Sequence, residues 1–178
     1  MTTAPNSRSL SLSPSRARDF MQCPLLYRFR TIDELPEPPS SAALRGTLVH
    51  SVLEEIFDLP AAVRTVNQAQ EMVGPAWKEL LAKEPEAAGL FESGDELEKW
   101  LKSAEKLVAT WFDLEDPQRL EPQEREAFVQ TTVGAGLKIR GIVDRMDVAG
   151  NGAIRVVDYK TGRSPAPRFE SETIFQMR

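Results

Sequence analysis

Gly150-Asn151-Gly152 separates two runs of largely alternating character, Leu137 to Val148 and Ala153 to Lys160, and a glycine-rich loop between such runs makes an antiparallel hairpin. If the loop is those three residues, Ala149 pairs with Ala153, and the same register sets Asp144 directly opposite Asp158. Cross-strand neighbours lie about 5 Å apart at Cβ, close enough for two carboxylates to share one divalent cation. Side chains alternate faces along a strand, so Asp158 and Lys160 point the same way and put an ammonium beside a carboxylate. A different loop length would turn Asp144 to the wrong face.

An isolated Asp-x-Lys on a strand is most often a solvated surface pair. Here Ile154, Val156 and Val157 make the strand otherwise apolar, and an ionic cluster in an apolar sheet needs a partner or a metal to offset desolvation. That consideration favours a functional site.

Four further pieces accompany the hairpin in order along the chain. They are Leu12-Ser13-Pro14-Ser15-Arg16, then Phe20-Met21-Gln22-Cys23-Pro24, then Arg45-Gly46-Thr47-Leu48-Val49-His50, and Gln176-Met177 at the end. Together with Gly141-Ile142-Val143-Asp144-Arg145 and Asp158-Tyr159-Lys160-Thr161-Gly162, they resemble the PD-(D/E)XK nuclease signature in its RecB-type form. In that form an N-terminal S-x-S and C-P region, an R-G-x-x-x-H helix, G-x-x-D-R, D-Y-K-T-G and Q-M-x-x-Y follow one another. The resemblance covers most of the chain except roughly its middle third. Asp-x-Lys alone would be unspecific, whereas five ordered pieces are not.

The resemblance implies an α/β fold: a restriction-endonuclease-like mixed sheet core flanked by helices, interrupted by a helical insert. It implies a metal-dependent DNA exonuclease or nuclease, a hydrolase of recombination and DNA repair, with DNA as substrate and a helicase or recombination protein as partner. His50, Asp144, Asp158 and the main-chain carbonyl of Tyr159 would hold Mg2+ or Mn2+. A nitrogen ligand suits manganese better than magnesium, so both ions are expected to support activity. Lys160 would position the nucleophilic water or stabilise developing charge, and Gln176 would hold the water or the DNA backbone. A lone histidine on an amphipathic helix is usually no ligand, but the place of His50 in the pattern reverses that expectation.

Some roles stay open on the sequence. Arg145 is a DNA phosphate contact or, equally, a salt-bridge partner of a neighbouring carboxylate; Arg45 and the other N-terminal arginines offer a positive path whose plain alternative is solvated exposure. Glu126, near the start of the first strand, is a lesser site candidate. Glu54 shares a flank of the helix with His50 and either orients the imidazole or makes a surface pair. Cys23 matches the first of four cysteines that hold an iron–sulfur cluster in some relatives. One thiolate cannot hold such a cluster, so it is expected only if the protein continues beyond Arg178 with three more cysteines. Otherwise Cys23 is a small buried apolar residue.

Composition sets bounds. The 178 residues suit one ordinary domain, and the single cysteine excludes an intrachain disulfide framework. With no apolar run of membrane-spanning length and no signal-peptide core, a cytoplasmic protein without membrane contact is expected. A net charge of −5 argues against a nonspecific DNA coat, less so against a nuclease, whose acidic ligands contribute to the total.

Residues 1–11 read as a flexible tail and 12–178 as an incomplete nuclease domain, with a helical insert at about 60–118. Ser13 caps a first helix with Pro14 at its first position, Pro24 interrupts it, and the prolines of 34–41 make a linker. Leu44, Leu48, Val52 and Ile56 form the buried stripe of a helix over 42–57. The insert is read as one helix broken near Gly74-Pro75 and a second carrying Trp100, Leu107, Trp111 and Phe112, aromatics better placed in a core than as a base-stacking platform. Strands follow at 124–133, 137–148 and 153–160, then a loop at Pro165 and Pro167 and a helix from Ser171. The family continues with another strand, so the end at Arg178 is expected to be that of a fragment with one sheet edge unsupported. No phosphate-binding loop occurs, hence no helicase motor.

Two other function classes compete with the nuclease. One is a non-catalytic DNA-binding or scaffolding module that keeps the fold. The other is a helical interaction protein whose Asp/Lys hairpin is only a salt-bridged surface.

Overall fold

The computed structural model describes residues 11–134 and 136–162. It is a mixed α/β structure, as expected, with a four-stranded sheet: β1 (Ser11–Leu12), β2 (Glu124–Val133), β3 (Leu137–Val148) and β4 (Ile154–Val157). β3 pairs with β2, in parallel with β1, and antiparallel with β4. The chain falls into two compact units, whose boundary passes within β2 and β3.

One unit holds described residues 11–37 together with 128–134 and 136–142. Ser13 caps α1 (Pro14–Gln22) by accepting from the Arg16 N–H, with Pro14 at the first position, where its missing N–H costs nothing. α2 (Pro24–Tyr27) runs into a π-helical turn, Arg28–Ile32, and Arg30 bridges Asp19 and Glu37. Ser11, expected in the flexible tail, instead pairs with Lys138, and Leu12 pairs with Ile139, a two-residue strand too short to leave a period-two pattern.

The other unit holds 38–127 and described residues 143–162. α3 (Ser41–Glu55), α4 (Val66–Lys83) and α5 (Gly94–Phe112) pack on one another. Leu44, Leu48, Val52 and Ile56 are all buried, as their spacing requires. They meet Ala69, Val73, Trp77 and Leu80 of α4 and Ala104, Val108 and Trp111 of α5. The aromatics belong to this core: Trp77, Phe91 and Trp100 pack together, and Phe57 meets Trp111 edge to face. The expected break at Gly74-Pro75 is absent, because α4 runs through Pro75. Pro75 lies on the exposed side of α4, as does Glu71 four residues earlier, whose carbonyl loses its intrahelical partner. Val73, Ala76 and Trp77, buried on the other side, hold the two halves in line.

The hairpin register is the one the loop length dictates. Arg145 pairs with Val157 and Val148 with Ile154, the Ala149 N–H donates to the Ala153 carbonyl, and Gly152 takes the left-handed conformation at φ +83°. β4 ends at Val157, however, three residues short of its expected end at Lys160.

Candidate functional site

Where β4 stops, side chains replace the ladder. The Tyr159 N–H donates to Asp144 Oδ2, and the Tyr159 carbonyl lies 2.9 Å from His50 Nε2. His50 comes from the middle of α3, far away in sequence. A carbonyl only accepts, so Nε2 carries the proton in this bond, and in the tautomer with a single proton Nδ1 is left as a lone-pair donor. That nitrogen sits 3.7 Å from Asp144 Oδ2, also a lone-pair atom. In that tautomer a cation placed between them would be bound by both atoms.

Glu126 supplies a third donor. One ligand atom each from His50, Glu126 and Asp144 lie within 4.8 Å of one another, and an oxygen–oxygen–nitrogen set of this kind fits a divalent metal. Partial burial raises the Glu126 carboxyl above its ordinary pKa, and the charges of Asp144 and Glu54 raise it further, only partly opposed by His50. Its backbone is in the left-handed region, φ +45°, which costs a non-glycine residue on the order of 1–3 kcal/mol and is typical of positions held for function. An open cleft of about 470 Å³ fronts the cluster, lined by Gly46, Thr47, His50, Ser51, Glu54 and Glu126.

Continuing the hairpin register by one residue would set Asp144 opposite Asp158, but the pairing ends at Arg145 and Val157. Asp158 lies outside the three-residue donor set; its Oδ2 is 2.6 Å from Lys160 Nζ. Both line a second cleft, of about 330 Å³, with Val49, Leu53, Trp111 and Tyr159. The apolar surroundings come from these core residues and not, as the sequence suggested, from the strand itself, since Ile154 and Val156 are exposed. Glu54 faces the same cleft as His50, but the imidazole nitrogens address Asp144 and Tyr159; the Glu54 carbonyl accepts from Arg125.

Arg145 is no phosphate contact. It is 0% exposed, and all five of its N–H groups are taken by Glu115, Asp147 and the Tyr159 hydroxyl. Of the two roles left open on the sequence, the salt bridge is the one realised. Burial alone would raise the Glu115 carboxyl, but Arg145, helped by Arg155, holds it below its usual range. Burial pushes the Tyr159 hydroxyl up to about 12, against the opposing pull of Arg145. Arg45 is half-buried, with Nη1 donating to Ser103 on α5. Cys23 is exposed between α1 and α2, not buried, because the short helices on either side cover little. Gln176 lies outside the described residues, as do the loop at Pro165 and Pro167 and the helix expected from Ser171.

The glycine of the R-G-x-x-x-H run also has a local reason. A Cβ on Gly46 would stand 3.2 Å from Thr161 Oγ1, so the bare α3 backbone lets the segment after Lys160 pass close by.

A family model described as the PD-(D/E)XK nuclease superfamily matches residues 11–178. The chain belongs to that superfamily. It is 28% identical over 173 residues to one subunit of an "ATP-dependent helicase/deoxyribonuclease" of Streptococcus equi subsp. zooepidemicus, a match that covers 90% of this chain and 15% of the relative. It is 25% identical over 194 residues to "Gene 69 protein" of Mycobacterium phage L5, covering 89% of this chain and 67% of that protein. The chain therefore spans only a small part of the streptococcal relative. The RecB-type resemblance stands on this family match and on that helicase/nuclease relative, and together they support a hydrolytic nuclease. Glu126, a lesser candidate on the sequence, is the acid that the fold brings beside His50 and Asp144. Its one signal is that it is the only acid between Arg125 and Val133. The glycines at 134 and 136 left the β2–β3 register, and so its position, undetermined.

Proposed function

We propose that this protein is a Mg2+- or Mn2+-dependent deoxyribonuclease that hydrolyses phosphodiester bonds of DNA, as an exonuclease or nuclease, in the cytoplasm, during recombination and repair. The observation that carries the reading is the convergence of His50, Glu126 and Asp144 on one point, next to the Asp158–Lys160 pair. His50 Nδ1, Asp144 and Glu126 would hold the cation, with Asp158 and the Tyr159 carbonyl joining from the segment after β4. A bound divalent cation supplies positive charge to the phosphate and lowers the pKa of a nearby water. Lys160 keeps its ammonium beside Asp158, where it orients the attacking water and offsets charge that grows on the phosphoryl oxygens. Gln176, by its place in the family pattern, holds the water or the DNA backbone.

The name of the streptococcal relative supports DNA as substrate and a helicase as partner. Among the described residues no helix is long and apolar enough to cross a membrane. No iron–sulfur cluster is proposed on the sequence in hand, since it has one cysteine and a cluster needs four thiolates.

The test is hydrolysis of linear and covalently closed circular DNA by the intact protein with Mg2+ or Mn2+. Linear DNA is expected to be degraded and Asp144→Asn to be inert, and cutting or sparing of the closed circles tells endonuclease from exonuclease. Unchanged cleavage by Asp144→Asn would move the active site elsewhere. Tight DNA binding without cleavage would favour the scaffolding module.

A further inference from the structure

The Asp158–Lys160 segment has no ladder to hold it, because β4 ends at Val157. Its middle residue holds it instead. Tyr159 points its side chain into the core while its peptide groups touch two of the three donor residues, Asp144 through the N–H and His50 through the carbonyl. The ring packs edge to face against Trp111 at 6.1 Å and His50 at 5.8 Å, and the hydroxyl accepts from Arg145 Nη1 at 3.0 Å. Arg145 is itself immobilised: Glu115, just beyond α5, takes two of its N–H groups at 2.7 and 3.0 Å, and Asp147 of β3 takes two more at 3.0 and 3.1 Å.

We infer that Glu115, Arg145 and the Tyr159 side chain form a positioning clamp that fixes the Tyr159 peptide, and through it the geometry and affinity of the metal site. The inference rests on the nuclease reading above. The clamp residues are not catalytic: the guanidinium is fully buried and reaches the site only through Tyr159. A buried ionic cluster seldom outdoes apolar packing in stability, but its directional bonds admit a single arrangement. Here that arrangement joins α5, β3 and the segment after β4 at one tyrosine hydroxyl. Metal sites need donors held to within about 0.5 Å, and partners one shell behind the ligands typically change metal affinity or activity about 10- to 100-fold when removed.

The experiment uses the intact protein, with Tyr159→Phe and Glu115→Gln as clamp variants and Asp144→Asn as the reference. Mn2+ is titrated calorimetrically, and DNA cleavage is followed against Mn2+ concentration well below each variant's melting temperature. Tyr159→Phe keeps the ring and deletes one hydroxyl, so it is expected to fold. The clamp requires the Mn2+ needed for half-maximal rate to rise about 10-fold or more in both variants, with the rate recovered at saturating Mn2+ and KM for DNA little changed. A merely structural role would lower the plateau through loss of folded molecules and leave the Mn2+ midpoint in place; that result, or wild-type behaviour, overturns the clamp. If Asp144→Asn also binds Mn2+ and cleaves normally, the nuclease site itself is wrong. If only that variant fails, the site stands and the clamp alone falls.

Discussion

Replacing Arg145 by methionine separates its burial from the DNA contact that the sequence left open. The side chain is 0% exposed, and its removal leaves the carboxylates of Glu115 and Asp147, 17% and 18% exposed, side by side. Breaking a buried pair from one side costs about 3–5 kcal/mol. Arg155, whose Nη2 lies 2.8 Å from Glu115 and 2.7 Å from Asp147, remains to offset part of this, so the loss should fall near the lower end, about 3 kcal/mol. For a chain of this size that corresponds to a fall of about 6–12 °C in melting temperature. Urea unfolding followed by circular dichroism measures it. The pH dependence has a definite sign. Glu115 has a depressed pKa in the folded protein, so its stabilising contribution is present above its unfolded value and lost as pH falls through the folded one. The gap between wild type and Arg145→Met should therefore be fully present at pH 7 and narrow as pH falls below the ordinary glutamate pKa of about 4.3 toward the depressed folded value. A loss under about 1 kcal/mol, accompanied by weaker DNA binding, would refute the buried-clamp assignment and restore the phosphate contact.

Glu126→Gln removes a carboxylate whose raised pKa marks unfavourable charge, so it should stabilise the metal-free protein at neutral pH, by about 1 kcal/mol or less because solvent screens the group. The same variant should lose most Mn2+ affinity in calorimetry; unaltered affinity would remove Glu126 from the site. Asp158→Ala is expected to abolish metal binding and cleavage together, whereas Lys160→Ala should keep the metal and lose about a hundredfold to a thousandfold in rate. Equal defects in both would show that the two residues do not divide the work in this way. Gly46→Ala should fail to deliver the roughly 1 kcal/mol that alanine gains over glycine in a helix, because its methyl meets Thr161 Oγ1. Adding Thr161→Ala should release that gain, and a thermal melt of the double variant reads it.

The hairpin was legible because a short loop between alternating strands has few registers. Gly150 to Gly152 fixed the pairing of Ala149 with Ala153 and thereby the register of the two strands as far as Arg145 and Val157. The buried stripe of α3 and the span of β2 and β3 were equally plain in the spacing of Leu44, Leu48 and Val52 and in the Gly-containing turns. The early end of β4 was not legible. Asp158-Tyr159-Lys160 has strand-like alternation, and only the tertiary competition of Asp144 and His50 for the Tyr159 peptide removes it from the ladder. The role of Arg145 was hidden for a similar reason. Its partner Glu115 is thirty residues away, next to a helix end that no local pattern brings to β3. Arg64 is a comparable case, a buried arginine that binds the carbonyls of Phe57, Leu59, Pro117 and Leu120 and shows in the sequence only as another charge.

Crystals of the intact protein soaked in Mn2+ and measured at the manganese absorption edge put the metal site directly to the test. An anomalous peak is expected among His50, Glu126 and Asp144, with Asp158 turned toward it and Lys160 still beside Asp158, and it should vanish in Asp144→Asn. A peak elsewhere, or one that survives that substitution, would contradict the assignment of this cluster as the nuclease centre.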